Sequence, residues 1–119
     1  MSSPAFVTGN LTRTPQLSRT TEGTPVVNLT VAENSRRLVE GEWVDGSTTF
    51  WDIVCFGVQA EHVIASLTKG ARVIVAGSFR TRAWTDADGG EHTRLEVLAE
   101  EIGPSLRWAT TTVTKTGAA

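Results

Sequence analysis

Val58-Gln59-Ala60-Glu61-His62-Val63-Ile64-Ala65-Ser66-Leu67-Thr68-Lys69-Gly70-Ala71-Arg72-Val73-Ile74-Val75-Ala76 joins two periodicities end to end. Ala60, Val63, Ile64 and Leu67 recur at helical spacing, and Lys69-Gly70 supplies a stop signal. The apolar run Val73-Ile74-Val75-Ala76 then opens an extended segment from Ala71 to Trp84, with Gly77 at the place for a bulge that would invert the faces before it. The spacing predicts a short helix plugging one end of a sheet, followed at once by a long strand. Outward from this junction the chain is short extended segments and turn signals. Phe6 to Leu11 alternates, Thr14-Pro15 interrupts, and Glu22-Gly23-Thr24-Pro25 turns the chain. Val27, Leu29 and Val31 form the apolar side of a second strand. A long hairpin loop, Glu40 to Gly46, leads to a third strand from Thr48 to Phe56. Beyond Trp84, Asp86-Ala87-Asp88-Gly89-Gly90 is a hairpin turn, and Leu95, Val97 and Ala99 alternate in a fifth strand. Five strands with a helix between the third and fourth is the order of an OB-fold, an all-β five-stranded Greek-key barrel. Gly103-Pro104 breaks the fifth strand, which leaves Leu106 to Val113 as an extra C-terminal strand. The expected division is an OB-fold over 1–106 and an extension over 107–119, strand-like and then flexible.

At 119 residues the chain makes one domain. Hydrophobic residues are 39%, mean hydropathy is −0.09, and no apolar run nears the ~20 residues that span a bilayer, so no membrane segment is expected. Met1-Ser2-Ser3-Pro4-Ala5 lacks the basic start and apolar stretch of an export signal. Cys55, alone inside Ile53-Val54-Cys55-Phe56, reads as a small buried hydrophobe in a reducing, cytoplasmic compartment. The formal charge of −2 argues against a broadly basic, duplex-binding surface, and it leaves single strands open.

Alternation puts Arg80, Arg82 and Trp84 on one face of the fourth strand and Phe79, Thr81 and Ala83 on the other. That face is expected to hold two guanidinium groups and an indole with no acid between them. Such a strip suits phosphates and unstacked bases, or else it is a half-exposed strand whose Trp covers core. On the second strand Asn28, Thr30, Ala32 and Asn34 run in phase to Arg36. Arg36, Arg37, Arg80 and Arg82 are therefore candidates for one patch, with Glu61, Asp86, Asp88, Glu91, Glu96, Glu100 and Glu101 elsewhere in the sequence. Lys69, Arg72 and Arg94 stand as peripheral phosphate contacts at best. His62 and His92 have no partner at ligand spacing, so no metal or other cofactor is expected. A phosphate loop and an activated nucleophile are both missing, and the downstream Glu of a calcium loop is absent after Asp86 and Asp88, so the chain does not read as an enzyme.

Taken together and in order, these residues resemble the bacterial single-stranded DNA-binding protein family. The carriers are Val7 to Leu11, the Pro15 turn, Val27 to Ala32, Cys55-Phe56-Gly57, Ala60-Glu61, Leu67 to Gly70 and, above all, Gly77 to Asp86. The resemblance implies binding of single-stranded DNA without strong sequence preference, in replication, recombination, repair or transformation, by a homotetramer built as a dimer of dimers. It implies base stacking on Trp84. The family's second tryptophan position falls on Phe50 rather than Trp51, and its first near Arg37, where a guanidinium replaces the ring. Phe50 and Phe56 share a face with Asp52 and Val54, so both become stacking candidates, against a reading as ordinary core; Trp43 in the hairpin loop is a compensating ring. Trp51 and Trp108 fall to core or interface.

The tail from Glu101 to Thr110 is similar to a subgroup whose extra C-terminal strand clasps a neighbouring subunit. Family members that recruit other proteins do so through an acidic tip. This sequence ends Thr114-Lys115-Thr116-Gly117-Ala118-Ala119 with no such tip, so the residues given do not support recruitment by that route. The competing function is an OB-fold adaptor that binds proteins of a DNA-processing complex. The acidic balance favours it, and the Arg80, Arg82, Trp84 strip opposes it.

Overall fold

A computed structural model describes residues 2–117. The elements are β1 (Pro4–Leu11), β2 (Leu17–Arg19), β3 (Pro25–Val39), β4 (Glu42–Phe56), α1 (Val58–Ser66), β5 (Arg72–Thr85) and β6 (Glu91–Pro104). Five strands close a ring in the order β1, β5, β6, β4, β3, where β1 returns to pair Asn10 and Leu11 with Ala32 and Val31 of β3. The short β2 pairs with the start of β3. All pairings are antiparallel except β4 with β6, which run parallel at Ile53 opposite Val97. This is the expected OB-fold.

Alternation fills the barrel. Val27, Leu29, Val31, Ile53, Cys55, Val73, Val75 and Val97 all lie in the inward phase and are buried, joined by Val7 and Leu11 of β1. Burying one such aliphatic side chain stabilises by about 1.5 to 3 kcal/mol. Ala60, Val63 and Leu67 bring α1 and its exit onto one end of this core. Gly57 makes the corner between β4 and α1 at φ 77, a conformation that side chains resist. Its N–H donates to the Pro25 carbonyl at 2.8 Å, which ties the corner to β3. Among the described residues no helix is long and apolar enough to cross a membrane.

Three sequence expectations change. The segment Glu40 to Gly46 is not a long loop. Glu40 and Gly41 alone turn the chain, at φ 51 and 82, and β3 and β4 stay paired to the tip, with Leu38 opposite Trp43. Positive φ at both positions matches the turn that suits strand twist. The bulge at Gly77 exists, but its extra residue is Glu100 of β6, since Ala76 faces Glu101 and Gly77 faces Ala99. β5 therefore keeps one phase through Gly77, where any Cβ would overlap the Leu98 carbonyl.

The third change is at the C-terminus. Residues 105–117 pair with no strand of this chain, so the extra C-terminal strand is not part of its sheet; the sixth strand is β2, in the stretch between the Thr14-Pro15 interruption and the Glu22 to Pro25 turn, to which the sequence assigns no element. The tail leans back on the barrel instead. Ser105 N–H donates to the Arg72 carbonyl at 2.8 Å, and Thr116 Oγ1 lies 2.7 Å from His62 Nε2. Trp108 is exposed between the guanidinium groups of Arg72 and Arg107, 4.8 and 4.7 Å from its ring centroid, and is not core of this chain. Ala118 and Ala119, the end of the expected flexible extension, lie outside the described residues.

Candidate nucleic-acid interface

The face opposite the core phase carries the candidate residues. On β4 it holds Phe50, Asp52, Val54 and Phe56, set against Ala32, Thr30, Asn28 and Val26 of β3. On β5 it holds Arg80, Arg82 and Trp84, set against Glu96, Arg94 and His92 of β6. Phe50 is 64% exposed, Phe56 37% and Trp84 39%, so three rings stand on the outside of the barrel while Val54 between two of them is buried. Trp51 and Phe79 take the other phase. Their rings lie 6.0 Å apart against the core, and Trp51 Nε1 donates to Glu33 Oε1 at 2.9 Å. The packing role expected of Trp51 is what the structure has.

The strip is not free of acid. Glu96 is 5% exposed and lies beneath both arginines; Arg80 Nε donates to its Oε1 at 2.8 Å, and Arg82 Nε is 3.7 Å from its Oε2. Sequence distance hides this contact, because only the register of the β5–β6 hairpin brings Glu96 opposite Arg80. Burying a carboxylate is costly unless it is paired, and two guanidiniums attend this one. Arg94 is held in the same way, its Nε 2.6 Å from Asp52 Oδ2 on β4. Each arginine engages its acid through Nε. The guanidinium carbon of Arg80 lies 5.5 Å from the Phe56 ring centroid, and that of Arg82 lies 4.7 Å from the Trp84 centroid, within cation–π range.

His92, which sequence reasoning set aside, belongs to the site. Its ring stacks on Trp84 at 5.3 Å and 20°. Its Nε2 is 2.6 Å from Asp86 Oδ2, while Asp86 Oδ1 accepts from the N–H groups of Asp88 at 2.9 Å and Gly90 at 2.8 Å. The His92 contact first, then the backbone donors, hold the Asp86 carboxyl below the usual carboxylate range. The signal was present in the sequence: Trp84 and His92 are equally far from the centre of the Asp86–Gly90 turn.

The remaining candidates sit on the β3–β4 arm. Arg36 pairs in register with Asp45, a loose and exposed ion pair at 3.9 Å, and keeps the phase of Ala32 and Asn34. Arg37, its neighbour, takes the opposite phase across from Val44, so the two do not share one patch. Trp43 is exposed near the arm's tip. Cys55 is buried, and burial pushes its thiol pKa up. Among the described residues no three His, Cys, Asp or Glu side chains cluster to hold a metal ion.

Residues 3–105 match the model of the single-strand binding protein family. The chain is 45% identical over 111 residues to a single-stranded DNA-binding protein of Mycobacterium leprae, covering 92% of this chain and 66% of that one. With the single-stranded DNA-binding protein of Mycobacterium tuberculosis H37Rv it shares 44% identity over 111 residues, 92% of this chain and 68% of the other. The chain thus spans about two thirds of the length of these curated relatives. Among solved structures it resembles a small single-stranded DNA-binding protein from Streptomyces coelicolor, with a TM-score of 0.73 and 26% identity, covering 89% of this chain and 96% of that one.

Proposed function

This chain belongs to the single-strand binding protein family, and from that premise we propose that its outer face binds single-stranded DNA without strong sequence preference and without catalysis. The observation that carries the reading is the pairing of guanidiniums with exposed rings, Arg80 beside Phe56 and Arg82 beside Trp84. A ring offers any base a stacking surface, and a neighbouring guanidinium reaches the linking phosphate, so affinity does not depend on base identity. Trp84, Phe56 and Phe50 stack bases in this reading. Arg80, Arg82 and Arg36 hold phosphates, and Trp43 adds a ring on the arm, while Arg37 on the arm's other side is left out of this face.

The working unit is a homotetramer, a dimer of dimers in a cytoplasmic, nucleoid-associated setting. Exposed Phe6, Leu106, Trp108 and Val113 supply apolar surface for subunit contacts, and a tail without strand partners in its own chain suits a clasp on a neighbour. The test is a mobility assay with a thymine homopolymer and a duplex of equal length. Retention of the single strand alone is the expected result. Equal retention of both, or of neither, overturns the reading.

A further inference from the structure

We infer that the DNA track does not end at Phe56 but continues onto β2, into a cleft where Arg13 takes a backbone phosphate of the same strand. The inference rests on the single-strand reading above and adds a site to it. The cleft has a volume of about 590 Å³ and is lined by Arg13, Thr14, Gln16, Ser18 and Asn28. Every wall is polar and none is acidic. Pockets for small organic ligands are mostly apolar, whereas phosphate and sugar oxygens want donors, and these side chains supply a guanidinium, hydroxyls and amides.

Register ties the cleft to the stacking face. Ser18 of β2 is opposite Val26 of β3, and Val26 is opposite Phe56 of β4, so the three side chains form one transverse row on one side of the sheet. Asn28, also in the cleft wall, shares that side and lies opposite Val54. Neighbouring strands are ~4.8 Å apart, so the row carries a strand from the Phe56 ring to Ser18 in about 10 Å. The wall is braced before any ligand arrives. Thr14 Oγ1 accepts from the Lys69 N–H at 3.1 Å, which also brings a second cationic residue to the rim. Among the described residues Arg13 has no carboxylate partner, unlike Arg80, Arg82 and Arg94, whose charge is shared with Glu96 or Asp52. Arg13 offers a phosphate its whole charge.

Oligothymidylates stepped from about 4 to about 16 nucleotides, the span of site sizes for one such barrel, separate this cleft from the rings. Titrations across salt compare the wild type with Arg13→Ala and Arg13→Lys, both at an exposed position. Arg13→Ala is expected to bind the shortest strands as the wild type does. On the longest strands it should lose about threefold in affinity and have a salt slope shallower by about 0.7, with the tryptophan quenching amplitude unchanged. Arg13→Lys should recover the slope. Wild-type affinity and slope at every length in Arg13→Ala would overturn the cleft and leave the ring reading standing. A loss equal at all lengths would also overturn it. A wild type that binds no single strand would take down both readings at once.

Discussion

Glu96 sits under Arg80 and Arg82 at 2.8 and 3.7 Å, so the three side chains together carry one net positive charge, not two. Glu96→Gln keeps the shape and removes the charge. The salt dependence of single-strand binding is then expected to steepen by about 0.7 in log K against log salt, the increment of one more phosphate neutralised. Titrations at several salt concentrations check it, with a melting curve to confirm the fold, and an unchanged slope would free the arginines from Glu96. The Arg80, Arg82, Trp84 strip was legible in sequence because alternation along one strand needs no partner. Glu96 and His92 were not recognised, because their places depend on a second strand and on the register that a turn imposes. Arg37 was misplaced with Arg36 for the opposite reason, since adjacent strand residues cannot share a face.

Among the elements, the β5–β6 hairpin carries most of the site and is fixed at both ends. At one end Gly77 lets β6 pass close, and a Cβ would strike the Leu98 carbonyl. Gly77→Ala is expected to cost about 1 to 3 kcal/mol, as overpacking does, read as a lower midpoint in denaturant unfolding. At the other end Asp86 binds His92 and two backbone donors, with its pKa lowered. A lowered carboxyl pKa gives stability that is present above the ordinary carboxylate value of about 3.9 and lost as pH falls through the folded value. Acid below about pH 4 should therefore loosen the hairpin tip, seen as faster amide exchange at Asp88 and Gly90, and Asp86→Asn should show that looseness already at neutral pH. The helix and the long strand after it were legible because their periods differ so sharply. The β3–β4 arm was not, since Glu40 is an unusual residue for positive φ and Glu-Gly carries no strong turn signal.

For the whole molecule, ring closure follows from strand order. Five alternating segments and one helix imply the barrel, and β4 beside β6 is the parallel contact that completes it. The short β2 escaped notice because three exposed residues leave no alternation to read. Assembly is a surface property. If Phe6, Leu106 and Trp108 lie between subunits, sedimentation equilibrium should give a mass about four times the 12.8 kDa chain. A monomer at micromolar concentration would contradict that assignment. The most direct test of the outer face as a stacking surface is tryptophan fluorescence during titration with a thymine homopolymer, run on the wild type and on Trp84→Ala. The account predicts salt-sensitive quenching in the wild type, much of it lost in the variant together with about 1 to 3 kcal/mol of affinity. Equal quenching and equal affinity in the two proteins would contradict it.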